Sequence, residues 1–125
     1  MKKESNALLL WYKKVNFSMP WRKNLNPYKI WISEIMLQQT QVDTVKKYYN
    51  SWMRKYPNVE QLAKANIDDI LKSWEGLGYY RRAHNILETA KIIVNSNQSK
   101  LPNKYSELMK LKGIGDYTAS AILSI

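Results

Sequence analysis

The run Ser33-Glu34-Ile35-Met36-Leu37-Gln38-Gln39-Thr40-Gln41 sets one carboxylate on an otherwise nearly apolar segment. From Ser5 to Val42, Glu34 is the only acid, although Lys13, Lys14, Arg22, Lys23 and Lys29 share that window. A lone acid among apolar neighbours in a basic region can have its protonation tuned by desolvation. The glutamines after it are neutral donors and acceptors of the kind that read base edges. Together they point to chemistry on a nucleobase. The plainer reading of Glu34 is a partly exposed helix acid paired with Lys29 or Arg22.

A second constellation is Leu111-Lys112-Gly113-Ile114-Gly115-Asp116-Tyr117-Thr118-Ala119, which has the form helix, Gly-hydrophobic-Gly turn, helix. The glycines permit positive φ, and the following helix N-terminus adds partial positive charge, so the turn can hold a phosphate without reading sequence. An ordinary αα-corner would also use two glycines. Arg81, Arg82, Lys110 and Lys112 flank the glycine turns as candidate phosphate contacts, or as solvated surface charges. His84 stands alone, without a second ligand-type residue at metal spacing, and reads as structural or DNA-facing.

Composition narrows the partner. The 125 residues hold 20 Lys plus Arg against 10 Asp plus Glu, a net charge of +10, with a pI near 9.7. A polyanion is the leading partner, nucleic acid or an anionic surface, and basic structural RNA-binding proteins share this balance. The 45% hydrophobic content, with five Trp and nine Tyr, requires a folded body and not a basic tail. The absence of cysteine rules out disulfides and thiolate metal sites within these residues and is compatible with a cytoplasmic setting. The run Ala7-Leu8-Leu9-Leu10-Trp11-Tyr12 is too short for a membrane span and lacks a small-residue cleavage site, so it reads as a helix of the mature protein.

The elements that must position these residues are all helical. Asn26-Pro27 supplies an N-cap and an N1 proline, opening a helix to about Gln39. Thr40 is expected to cap the next, in which Val42, Val45, Tyr49, Trp52 and Tyr56 form one face. Pro57-Asn58 opens a short helix with Val59, Leu62 and Ala63. Asn66 caps another with Ile67, Ile70, Leu71 and Trp74, and Gly76-Leu77-Gly78 breaks it. Further helices are expected from Tyr79 to about Ser96, from Asn103 with Tyr105, Leu108 and Met109 inward, and from Asp116 as cap. No period-2 segment is long enough for a strand, so the fold class is all-α. The last helix stops about two turns in, at Ile125, which predicts a fragment.

Gly113-Ile114-Gly115 resembles the hairpin of the helix-hairpin-helix DNA glycosylase superfamily. Within it, Pro20-Trp21-Arg22, Pro27-Tyr28, Trp31, the run Ser33 to Val42 and Trp74-Glu75-Gly76-Leu77-Gly78-Tyr79-Tyr80-Arg81-Arg82-Ala83 match the MutY family of adenine DNA glycosylases, from about Met19 to Ile125. The resemblance implies a six-helix glycosylase domain over 19–125, truncated within the second helix of the hairpin. The helix within 1–18 would pack with a missing iron–sulfur region.

It implies a monomeric enzyme that extrudes adenine mispaired with 8-oxoguanine or guanine from double-stranded DNA and hydrolyses its glycosidic bond. Glu34 would protonate the flipped adenine at N7, and a carboxyl in an apolar pocket holds its proton more readily. At the Tyr117 position, relatives that cleave the strand carry a lysine. A phenol forms no Schiff base, so the enzyme implied is monofunctional. Tyr117 would orient the acid or the sugar, or simply pack on the hairpin. Gln38, Gln39, Thr40, Leu77 and Tyr79 would meet the lesion, Tyr79 as the wedge, with one of Tyr79 and Tyr80 packed in the core. Trp21 and Arg22 would line the adenine pocket, and Arg81, Gly113 and Gly115 would hold phosphates.

The resemblance also says what these residues lack. The family's second carboxylate, its [4Fe–4S] ligands and its C-terminal domain lie beyond Ile125, so residues 1–125 alone are expected to be inactive. The hairpin carbonyls hold a monovalent cation in some relatives. A thymine or uracil mismatch glycosylase of the same superfamily, and a non-catalytic DNA-binding remnant, are the other readings. No membrane association is expected, and the location would be cytoplasmic, with the nucleoid if the source is bacterial.

Overall fold

The computed structural model describes residues 26–96 and 98–124. The helix expected within 1–18, together with Trp21 and Arg22, lies outside the described residues. Seven helices and no strand occur among the described residues: α1 (Pro27–Leu37), α2 (Val42–Lys55), α3 (Val59–Ala63), α4 (Ile67–Trp74), α5 (Arg81–Ser96), α6 (Tyr105–Leu108) and α7 (Asp116–Leu123). No described helix is long and apolar enough to cross a membrane.

The asparagine caps work locally. The side chains of Asn26, Asn58 and Asn66 accept the backbone N–H of Lys29, Gln61 and Asp69 at 2.8–2.9 Å. Each satisfies a donor that the first helical turn leaves orphaned. The structure corrects the other expected caps. Gln41, not Thr40, is the N-cap of α2, and Gly115, not Asp116, is the N-cap of α7; neither makes a side-chain capping bond. Asp116 is instead the first residue of α7, where its charge suits the helix dipole, and its carboxylate accepts the Tyr105 hydroxyl at 2.6 Å.

Helix α1 is the centre of the packing. Tyr28 and every residue from Ile30 to Met36 are buried, a pattern that places a helix inside a domain and not on its surface. It packs against α2 and α7, while α5 carries α3 and α4, α2 meets α4, and α6 meets α7. Trp31, Trp52 and Trp74 are fully buried. The Trp52 and Trp74 rings meet edge to face, with centroids 5.8 Å apart. Their polar handles are satisfied: Trp52 Nε1 donates to the Tyr28 hydroxyl, which donates to Tyr56 O, and Trp74 Nε1 donates to Gly78 O. Of the residues expected inward on α6, only Leu108 is buried; Tyr105 and Met109 are exposed.

The turn after α4 explains one glycine. Gly76 has φ +96°, and a Cβ there would stand 2.1 Å from the Tyr48 hydroxyl oxygen, which donates to Glu75 O at 2.7 Å. Gly76→Ala is expected to cost about 1–3 kcal/mol, and Tyr48→Phe about 1 kcal/mol for the lost hydrogen bond. The double variant should cost less than the sum, because removing the hydroxyl relieves the clash. Urea unfolding of the four proteins measures this, and strict additivity would show that the hydroxyl does not exclude a side chain at position 76.

Candidate active site

Glu34 sits in the middle of α1 and is only 3% exposed. It is therefore not the partly exposed surface acid of the plainer reading. Burial on this mostly apolar helix takes the carboxyl out of contact with bulk water. Ile30, Trp31, Ile32, Ile35 and Met36 of the same helix are buried with it. Ser33 turns its hydroxyl back to Ile30 O at 2.9 Å.

Tyr117 comes to Glu34 from far along the chain because α1 packs on α7. Burial raises the Tyr117 pKa above its ordinary 10.0, and the Glu34 charge raises it further. Each cause opposes a phenolate beside a carboxylate. Tyr117 is thus a neutral O–H throughout the physiological range, a hydrogen-bond group and not a nucleophile.

Two turns lie beyond the ends of α1 and α4, and both hold a non-glycine residue in the left-handed region. Gln39 has φ 60° and Tyr79 has φ 49°, conformations that cost about 1–3 kcal/mol each unless the surroundings enforce them. Gln38 and Gln39 are exposed and Thr40 is half-buried. Tyr79 is 64% exposed and Tyr80 is 45% exposed. Neither tyrosine packs into the core, contrary to expectation. Leu77 is the residue of this turn that does, at 6% exposure, so here its side chain does not project toward a ligand.

Arg82 differs from the surface phosphate contact expected of it. Its guanidinium donates to backbone carbonyls of both turns, including Ile35 O at 2.7 Å and Leu77 O at 3.3 Å. It also faces the Trp74 and Tyr79 rings. Burial lowers its pKa, and Tyr79 opposes that shift. Arg81 is exposed, and it lines a cleft with Tyr80, His84, Asn85, Glu88 and Lys112.

The hairpin borders this cleft. Gly113 takes φ +82°, a conformation that favours glycine, whereas Gly115 does not need it. Thr89, fully buried on α5, donates to Lys112 O at 3.1 Å and so ties the hairpin to α5. Lys112 Nζ lies 3.4 Å from Glu88 Oε2, with both side chains roughly half exposed. Such a pair contributes about 0–1 kcal/mol, weak enough for a phosphate to replace Glu88. Tyr48, Thr89 and the inward Arg82 escaped sequence reasoning, because each acts on a carbonyl remote in the chain. A separate hollow, lined by Tyr28, Asn58, Leu101 and Pro102 among others, contains none of these site residues.

No group of three or more His, Cys, Asp and Glu among the described residues is placed to hold a metal ion. The chain contains no cysteine, so none of its residues fits the thiolate ligation of an iron–sulfur cluster.

Comparison with known proteins agrees with this geometry. The profile of the HhH-GPD superfamily base excision DNA repair proteins matches residues 32–122. An adenine DNA glycosylase of Buchnera aphidicola (strain Bp) is 51% identical over 94% of this chain and 34% of its own length. The human adenine DNA glycosylase is 40% identical over 95% of this chain and 23% of its own. The chain thus spans about a third or less of these relatives. A thermostable thymine-DNA glycosylase superposes with a TM-score of 0.80 at 29% identity, covering 98% of this chain and 57% of that one. A non-covalent endonuclease III–DNA complex shares the fold, with a TM-score of 0.75 at 22% identity over 99% of this chain and 59% of that one.

The Tyr117 environment is open to direct test. In spectrophotometric titration Tyr117 is expected to ionise above 10.0, and Glu34→Gln is expected to lower that value while burial keeps it raised. The folded pKa exceeds the unfolded one, so this contribution to stability is full below pH 10.0 and is lost as pH rises above it. A Tyr117 titration indifferent to Glu34→Gln would mean that the two groups do not interact.

Proposed function

Since the chain belongs to the HhH-GPD superfamily of base excision DNA repair proteins, we propose that the protein containing these residues is a monofunctional adenine DNA glycosylase. Its substrate would be double-stranded DNA in which adenine lies opposite 8-oxoguanine or guanine. The observation that carries this reading is a carboxyl buried at 3% exposure, with the Tyr117 phenol within reach of its field.

The chemistry follows from that arrangement. Extruding adenine costs a few kcal/mol of unstacking and exposes its glycosidic bond. In this reading Glu34 passes a proton to N7 of the flipped base. The C1′–N9 bond then breaks toward an oxocarbenium-like sugar; neutral adenine leaves, and water adds to C1′, its released proton restoring the Glu34 carboxyl. Tyr117 lacks the amine for a Schiff base, so the strand is left intact. Its phenol orients the acid or the sugar by hydrogen bonding.

Tyr79 is the wedge beside the oxidised base, and stacking there is worth about 1–3 kcal/mol. Gln38, Gln39 and Thr40 fill and read the vacated site, with Leu77 as the apolar floor of the turn. Trp21 and Arg22 belong on the adenine side. Gly113, Gly115, Lys112 and Arg81 bind the backbone, and the hairpin carbonyls are candidates for a monovalent cation. A [4Fe–4S] cluster would need cysteines from outside these 125 residues, as the second catalytic carboxylate would need an acid from outside them. The protein would act as a monomer in the cytoplasm, with the nucleoid if the source is bacterial. A thymine or uracil mismatch glycosylase is the second reading, favoured by the 0.80 TM-score to a thymine-DNA glycosylase.

The test is single-turnover excision by the complete protein on duplexes with A opposite 8-oxoguanine and with T or U opposite G. Adenine release is expected, slowed about 10²–10⁴-fold in Glu34→Gln while duplex affinity is retained. Release of T or U but not A would sink the adenine assignment.

A further inference from the structure

One guanidinium holds both strained turns. Arg82 Nη1 donates to Ile35 O at 2.7 Å and to Gln38 O at 2.5 Å. Nη2 donates to Leu77 O at 3.3 Å and to Gly78 O at 3.4 Å. Gln38 and Gly78 immediately precede Gln39 and Tyr79, whose φ values of 60° and 49° are left-handed. Two of the carbonyls that Arg82 grips, Gln38 O and Gly78 O, therefore belong to the peptide planes leading into those two residues. Trp74 Nε1 adds a bond to Gly78 O at 3.0 Å.

The guanidinium carbon also lies 5.2 Å from the Trp74 ring centroid and 5.6 Å from the Tyr79 centroid. Arginine suits this position because its planar fork can address several acceptors while its faces meet aromatic rings. Helix C-termini present unsatisfied carbonyls, and a cation there is favourable. Arg82 meets the carbonyls ending α1, the helix that carries Glu34, and those following α4.

We infer that Arg82 is a positioning residue: by clamping the peptides before Gln39 and Tyr79, it presents both residues to a duplex as one preset unit. It acts through those residues and not on a phosphate. The inference rests on the proposed function for the duplex as ligand, and not on which base is released. An ammonium carries its donors at one point and cannot span the two turns as the fork does, so even lysine should fail to replace it.

The test uses the complete protein and a duplex with 2-aminopurine beside the 8-oxoguanine of an A·8-oxoguanine pair. Insertion of the wedge unstacks 2-aminopurine and raises its fluorescence. Arg82→Lys and Arg82→Met are expected to lose most of that rise, severalfold or more, while the salt dependence of binding keeps its slope. Lys112→Ala serves as the contrast: it should lower the slope by about 0.9, the contribution of one phosphate, and keep the rise. A slope lowered by about 0.9 in the Arg82 variants, or an undiminished rise, would overturn the inference.

Wild-type protein supplies a readout that needs no variant to fold. In arginine-labelled protein the Arg82 Nη protons should be resolved and protected from exchange with water, both free and bound to DNA. Averaged, rapidly exchanging Nη signals in the free protein would overturn the clamp. Fluorescence is read without turnover, so a wild type that fails to release adenine refutes the proposed function while the Arg82 comparison still decides this role.

Discussion

The burial of α1 is the constraint from which the rest of the structure follows. A helix with apolar side chains on nearly every side must be covered on every side, and α2 and α7 provide that cover. The same covering puts Glu34 out of water. The α1–α7 contact also delivers Tyr117 from the far end of the chain to the field of Glu34. One packing event thus both buries Glu34 and brings Tyr117 to it.

The strained turns belong to the same arrangement. Gln39 and Tyr79 are exposed polar and aromatic groups on backbones that ordinary residues avoid. Strain of this kind persists where surroundings impose it, and Arg82, Trp74 and Tyr48 impose it through bonds to carbonyls around the turns. The exposed side chains of Gln39 and Tyr79 are therefore mounted on backbone anchored to the core. Preorganisation of this sort lowers the ordering cost of binding.

The helices were legible in the sequence wherever a local bond decides the outcome. Asn26, Asn58 and Asn66 each cap a turn by reaching a backbone N–H three residues on, so type and position alone locate the helix start. Thr40 and Asp116 were misplaced by a single residue, because any polar residue near a helix start resembles a cap until backbone angles are known. Periodicity identified the buried faces carrying Val45, Tyr49, Trp52 and Trp74. It failed on Tyr105, which is exposed and bonded to Asp116. What could not be read were pairings far apart in the chain: Tyr48 with Glu75, Thr89 with Lys112, and Arg82 with Ile35. Arginine beside a glycine turn looks the same in sequence whether it faces phosphate or its own backbone. Glu34 stood out as chemically odd, and only the fold established that it is buried.

In the proposed reaction Glu34 is the group that meets the base. The direct measurement is the structure of the complete protein bound to a duplex carrying an uncleavable 2′-fluoro-deoxyadenosine opposite 8-oxoguanine. Adenine is expected to be extruded, with its N7 within hydrogen-bond distance of a Glu34 carboxyl oxygen and the Tyr79 ring among the bases. Adenine extruded into a pocket that Glu34 does not line would contradict it.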